Sequence, residues 1–390
     1  MVARSRRNTE RRNWRDYGGQ CSRRDIGGGG FHRRLVGGLG PSGRTRRGSV
    51  ALIAALCGAF AAPIAIGTSA FASAPTLSNP VETEANYDIA LKAYNQGDYT
   101  KALRLSETAA NLGSSDAAVM AGYILRYGKA GRTDMLMARK WYEKAAAKGH
   151  PDGFVALGEM GIRGQAGLTK TDAVSYLTRA SDAGRTDAMR ALSDLYRTGQ
   201  GVSSSAAESE RLLTQAAQSF DAEATKRLGD SLFERDAKTA LKHYEAAAAA
   251  GHVEAAYIAG VMYAENFDIR PNSDLSAQYL KQAADGGHPA AMADYGLRVY
   301  QGYGASQSET EAAEWFRKSA EAGDAEGQFL YAFTLAKGEG VAQDFEGAYY
   351  WVLKSGESGV DDYDKDKQAL RERLEANVDG AVLARARARL

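Results

Sequence analysis

Beyond residue 74 the sequence contains no cysteine; both cysteines of the chain, Cys21 and Cys57, come earlier. That part can form no disulfide, offers no thiolate nucleophile and holds no metal through sulfur. Lysine is missing from the other side of the same boundary. Residues 1–74 hold 13 arginines, no lysine and only three acids, Glu10, Asp16 and Asp25. Charge of either sign is missing between Gly48 and Val81. Catalytic motifs are missing as well. There is no G-x-S-x-G elbow, and Ser355–Gly359 does not fit one. No Walker pattern or dinucleotide fingerprint occurs, because the glycine loops lead into acids or apolar residues. "DDYDKDK" (Asp361–Lys367) spaces its carboxylates like a calcium loop. Lys367, however, stands where glycine is required, and Arg373 where the bidentate glutamate belongs. An acid-rich helix start explains that stretch better. Glu309 and Glu311 fall on a predicted solvent face and form no buried carboxylate pair. No enzyme, cofactor or metal is therefore expected, and a hydrolase is the least favoured alternative.

The charge gap is part of a leader. Arg44, Arg46 and Arg47 precede the apolar run Val50–Ile66, and small residues ending in Ala72-Ser73-Ala74 follow. This order predicts a secretory signal peptide cut after Ala74. Residues 1–74 are thus a leader to be removed, and 75–83 a linker. A single membrane anchor is the alternative, but a span needs ~20 apolar residues and Pro63 interrupts this run. Membrane contact is expected only if the leader stays uncut. Residues 75–390 then carry 36 basic against 45 acidic side chains. An acidic body repels phosphate backbones, so nucleic acid is not an expected partner.

The body repeats itself. Glycines at 113, 149, 184, 251, 287, 323 and 359 stand 36, 35, 67, 36, 36 and 36 residues apart. The double step hides one degenerate unit with its junction near Ser219. A second series, Gly128, Gly164, Gly199, Gly302 and Gly338, has the same period, and "GQGV", "GYGA" and "GEGV" open at the last three. Two glycine turns per unit predict two helices per unit, since a chain leaving a helix often needs a left-handed residue. Pro289 suits a helix start, and Ser308 with Glu311 predicts a capping box. Ala312, Trp315, Phe316 and Ala320 make one apolar stripe, matched earlier by Ala138, Trp141, Tyr142 and Ala146. His150, His252 and His288 follow the turn glycines and are read as punctuation, too far apart to share an ion.

"AMRALSDLYRTGQGV" and "AAEWFRKSAEAGDAEGQFLYAFTLAKGEGV" resemble Sel1-like repeats, relatives of the tetratricopeptide repeat. The resemblance spans about residues 84–376, some eight units, with a charged helical tail over 377–390. Its first unit, "ANYDIALKAYNQGDYTKALRLSETAANLG", is closer to a plain tetratricopeptide unit. The resemblance implies an all-α fold, a right-handed α-solenoid of helix-turn-helix repeats of about 36 residues. It also implies a concave groove, lined by the first helix of each unit, that holds partner proteins. Aligned on the turn glycines, the inward positions are Tyr123, Arg126, Glu159 and Arg163, then Arg190, Asp194, Arg197, Lys226, Asp230 and Phe233. The late units add Tyr257, Leu297, Tyr300, Phe329 and Phe333. This predicts a groove charged at first and aromatic later, with packing between repeats as the competing role for Leu297, Phe329 and Phe333. Some secreted relatives carry a disulfide in each repeat and bind β-lactams; this chain lacks those cysteines.

The leading expectation is an exported, periplasmic, non-catalytic scaffold that binds envelope proteins. The analogue within the family is the periplasmic regulator of exopolysaccharide production, which holds the sensor domain of a two-component kinase. The alternative is an assembly factor for polysaccharide or cell-wall machinery that binds a glycan or its synthase.

Overall fold

The computed structural model describes residues 80–265, 267–356 and 363–390, with side chains from Glu84 onward. The leader, the linker as far as Asn79 and the first residues of the "DDYDKDK" stretch lie outside the described residues. The described chain is all-α, in 18 helices. They are α1 Pro80–Asn95, α2 Tyr99–Asn111, α3 Ser115–Arg126, α4 Met135–Ala147, α5 Pro151–Ile162, α6 Lys170–Asp182, α7 Thr186–Thr198, α8 Ala206–Gln218 and α9 Ala222–Leu232. The rest are α10 Ala237–Ala249, α11 Val253–Ala264, α12 Ser273–Asp285, α13 Pro289–Gln301, α14 Glu309–Glu321, α15 Ala325–Lys337, α16 Phe345–Lys354, α17 Asp364–Asn377 and α18 Gly380–Arg387. The described helices divide between two bodies, α1–α7 up to Ser205 and α8–α18 from Ala206. Within each body, each helix packs on the next along the chain as far as α17, as in an α-solenoid, whereas α18 folds back onto α16.

Each repeat is an A helix, a loop, a B helix and a turn, and a small residue on A receives a large one from B. A Cβ on Gly122 would meet the Tyr142 ring at 2.7 Å, one on Gly229 the Tyr244 ring at 2.7 Å, and one on Gly296 the Phe316 ring at 2.7 Å. Tyr142, Tyr244 and Phe316 are among the largest fully buried side chains, so this glycine-to-ring contact centres the core of its unit. Both apolar stripes are buried as expected. The capping box is only half formed. Ser308 accepts from the Glu311 amide at 3.2 Å, but the Glu311 carboxylate accepts from Trp315 Nε1 at 3.4 Å instead. A complete capping box forms at Thr169 and Asp172.

The turn glycines are left-handed, as predicted: Gly149, Gly251 and Gly287 have φ of 81°, 87° and 91°. In the degenerate unit the corresponding residue is Phe220, at φ 61° and 92% exposed. The next residue caps the following A helix. His150, His252 and His288 all do this through Nδ1, which accepts a backbone N–H at 3.2 Å. Punctuation is the histidines' structural role. The "DDYDKDK" stretch, where described, opens α17 with Asp364 and Asp366 in its first turn.

Candidate protein-binding surface

The residues read as inward-facing recur at the fifth, ninth and twelfth or thirteenth positions after each A-helix cap, on one stripe of that helix. In the first body this stripe is charged and partly open. Tyr123, Glu159, Arg190 and Asp194 are half-buried, and Arg163 and Arg197 are exposed. Arg126 is the exception at 4% exposed; its Nη1 donates to Glu159 at 3.0 Å, one repeat on. Arg197 pairs with Asp194 at 3.3 Å.

The second body starts in the same style. Lys226 and Asp230 pair at 3.0 Å, and Tyr244 donates to Asp230 at 3.0 Å. Burial, reinforced by that carboxylate, pushes the Tyr244 phenol far above its ordinary range. Phe233 is half-buried against Phe267, with ring centroids 5.5 Å apart.

Further along, the expected aromatic groove is not open. Tyr257, Leu297, Tyr300, Phe329 and Phe333 are only 4–7% exposed and belong to the core. For Tyr257, Phe329 and Tyr300 the physical reason is that later elements of the chain close over them. Tyr257 stacks on His288 at 4.3 Å, and Phe329 meets Tyr363 at 5.4 Å. Tyr300 donates its hydroxyl to Glu339 at 2.6 Å. Lys337 sits 4.6 Å from the Phe333 ring centre and pairs with Glu339 at 2.6 Å. The core role of Leu297, Phe329 and Phe333, the alternative in the sequence reading, is what the structure shows.

A ladder between successive A helices was not anticipated. His150 Nε2 reaches Asp116 at 3.1 Å, His252 Nε2 reaches Glu223 at 2.8 Å, and His288 Nε2 reaches Glu254 at 3.0 Å. Arg185 makes the same reach to Asp152. Hydrogen bonding to the histidine is the main reason each of these three carboxyls, Asp116, Glu223 and Glu254, is held below the usual carboxylate range. The signal was present in the sequence, as an acid at the second position of an A helix and a histidine capping the next. Both ring nitrogens of each histidine are thereby occupied. Among the described residues no group of three His, Cys, Asp or Glu side chains is gathered as metal ligands, and no helix is long and apolar enough to cross a membrane.

A cluster near the start of the first body was also missed. Tyr94, Tyr99, Tyr123 and Tyr127 are in contact, with the Lys129 ammonium over three of the rings. Three of its members sit outside the aligned stripe, which is why repeat alignment passed over them.

No curated protein matches this chain. Among solved structures it is similar to a Sel1 repeat protein from Oxalobacter formigenes, at 23% identity and a TM-score of 0.58, over 80% of this chain and 98% of that one. It also matches a protective antigen of uropathogenic Escherichia coli with an SLR fold, at 20% identity and a TM-score of 0.35, over 78% and 82% of the two chains. The first of these likenesses speaks for the fold alone. The Sel1 repeat itself matches at residues 83–114, 115–150, 186–219, 227–252, 253–288, 289–324 and 325–360. Such repeats generally mediate protein–protein interaction and are generally non-enzymatic. With seven matched repeats over more than half of its length, and the helix pairs to go with them, this chain belongs to the Sel1 repeat family.

Proposed function

We propose that this protein is an exported, non-catalytic scaffold that binds an envelope protein through the A-helix stripe of its first body. The observation that carries this reading is the contrast between the two ends of the stripe. Tyr123, Glu159, Arg163, Arg190 and Asp194 keep accessible surface, whereas the late aromatic positions are closed by the chain itself. Charged and aromatic side chains side by side suit partner recognition. Export rests on the leader, with its arginines, its apolar run and its Ala72-Ser73-Ala74 end. A periplasmic role in envelope signalling, such as control of exopolysaccharide production, follows by analogy with Sel1-like regulators of that type.

Photo-crosslinking in the native cell envelope tests this. A crosslinker replacing Arg163 or Arg190 is expected to trap one protein, and one replacing Lys170, on a B helix, to trap none. Equal trapping from all three positions, or from Lys170 alone, would contradict the assignment.

A further inference from the structure

The first and second bodies treat the same cation–aromatic arrangement differently. Near the end of the second body, the ninth position of an A helix is Phe333, and the Lys337 ammonium lies 4.6 Å from its ring centre. The charge is met within the chain, because Glu339 lies 2.6 Å from that ammonium. At the start of the first body the ninth position is Tyr123, and the ammonium is that of Lys129, 5.7 Å from the ring centre. Lys129 itself stands at the position that Glu339 occupies in the late repeat, fifteen residues after the cap in both cases. The carboxylate that closes the late arrangement is thus replaced here by the cation. Among the described residues no carboxylate is in contact with Lys129; its neighbours are Tyr94, Tyr99 and Tyr123, with centroids 5.8, 5.2 and 5.7 Å from Nζ.

The rings make a continuous surface. Tyr94 meets Tyr99 at 5.2 Å edge to face, Tyr94 meets Tyr123 at 6.2 Å, and Tyr123 meets Tyr127 at 4.7 Å. Tyr127 is 48% exposed. Packing of the repeat does not call for an aromatic there, since the corresponding residues of later repeats are Arg163, Thr198, Glu234, Glu265, Gln301 and Lys337. An exposed tyrosine with no packing duty, beside other rings and a cation, marks an interaction surface. Beneath it lies the Arg126 guanidinium, 5.4 Å from the Tyr127 ring centre, with one nitrogen on one carboxylate, Glu159. Charge over longer range agrees. Residues 80–205 carry 16 Lys and Arg against 14 Asp and Glu, whereas 206–390 carry 20 against 31. An acidic ligand is therefore steered to the first body and away from the second.

We propose that Tyr94, Tyr99, Tyr123, Tyr127 and Lys129 form a recognition site for an acidic peptide segment of the protein partner. One carboxylate of that segment pairs with Lys129, and an apolar neighbour lies on Tyr127. This rests on the scaffold reading and adds the chemistry of what is bound.

The test uses the full chain with its lysines reductively methylated with carbon-13, a change that keeps their charge. Ring currents should place the Lys129 methyl signal upfield of other lysines, and loss of that signal in Lys129→Arg assigns it. One probe is a short peptide of glutamate pairs alternating with leucine; the second has glutamine for glutamate; the third is an oligogalacturonate. The acidic peptide is expected to move the Lys129 signal and the glutamine peptide to leave it in place. Binding should weaken about tenfold in Lys129→Met and in Tyr127→Ala and be unchanged in Lys318→Met, which removes a lysine over Trp315 in the second body. Three outcomes overturn the proposal. The two peptides act equally on Lys129; the acidic peptide binds without moving Lys129; or only the oligogalacturonate moves it, which would make the site one for an anionic glycan. None of these touches the crosslinking result from Arg163 and Arg190, so the scaffold reading stands or falls separately.

Discussion

His252 joins two repeats with its two ring nitrogens: Nε2 lies 2.8 Å from Oε2 of Glu223 in the preceding A helix, while Nδ1 accepts the Ala255 amide at 3.2 Å. With Nδ1 accepting, the ring proton sits on Nε2 and is donated to the carboxylate. A single side chain thus starts one helix and ties it to the helix before. His252→Ala should lose both contacts and cost about 1–2 kcal/mol in a urea titration. His252→Ser, which caps without reaching Glu223, should recover part of that loss. A serine variant no better than alanine would show that the cap contributes nothing.

The same pair sets a pH dependence. The hydrogen bond from His252, helped by Arg227, holds the Glu223 carboxyl below its ordinary value of 4.5. A folded-state pKa below the unfolded one gives stability that is present above the unfolded value and is lost as pH falls through the folded one. Stability should therefore decline as pH drops below about 4.5. Asp116 and Glu254 contribute in the same direction. Glu223→Gln should be less stable than the wild type at neutral pH and approach it in acid. Parallel curves across that range would contradict the linkage.

Two glycines with similar backbone angles should respond differently to alanine. Gly304 has φ 71°, and a Cβ there would overlap the Ser273 carbonyl at the start of α12. Gly287 has φ 91° with nothing within 4 Å. Gly287→Ala costs only the left-handed strain, about 1–2 kcal/mol. Gly304→Ala adds a backbone clash between repeats and should cost about 3 kcal/mol or more. The ordering of their denaturation midpoints is the check.

Phe220 offers a stabilising change. It stands at φ 61° where its counterparts are glycine, and its ring is 92% exposed. Phe220→Gly should relieve strain without losing a contact and gain about 0.5–1 kcal/mol, after the entropy glycine adds to the unfolded chain. A lower melting temperature would mean that the ring packs on something after all.

What the sequence revealed was local. Turn glycines, the histidines that follow them as punctuation and the Trp315–Phe316 stripe depend on neighbours within one turn or one helix, so spacing alone exposes them. Accessibility of the stripe does not work that way. Whether Phe329 is open depends on Tyr363, and whether Tyr300 is open depends on Glu339. Alignment placed both residues on the correct helix position but could not see what covers them. The Ser308 box was misjudged for a related reason, since Trp315 takes the Glu311 carboxylate. The tyrosines around Lys129 come from α1, α2 and α3, and only the fold brings them together.

The most direct test of the scaffold account is the affinity of the crosslinked envelope protein for the purified chain carrying Arg163→Glu and Arg190→Glu. Arg163 is exposed and Arg190 half-buried on the first-body stripe, and in a double variant shown to be folded by circular dichroism binding should fall at least about tenfold. Unchanged affinity in a folded double variant would contradict the account and move the partner to another face.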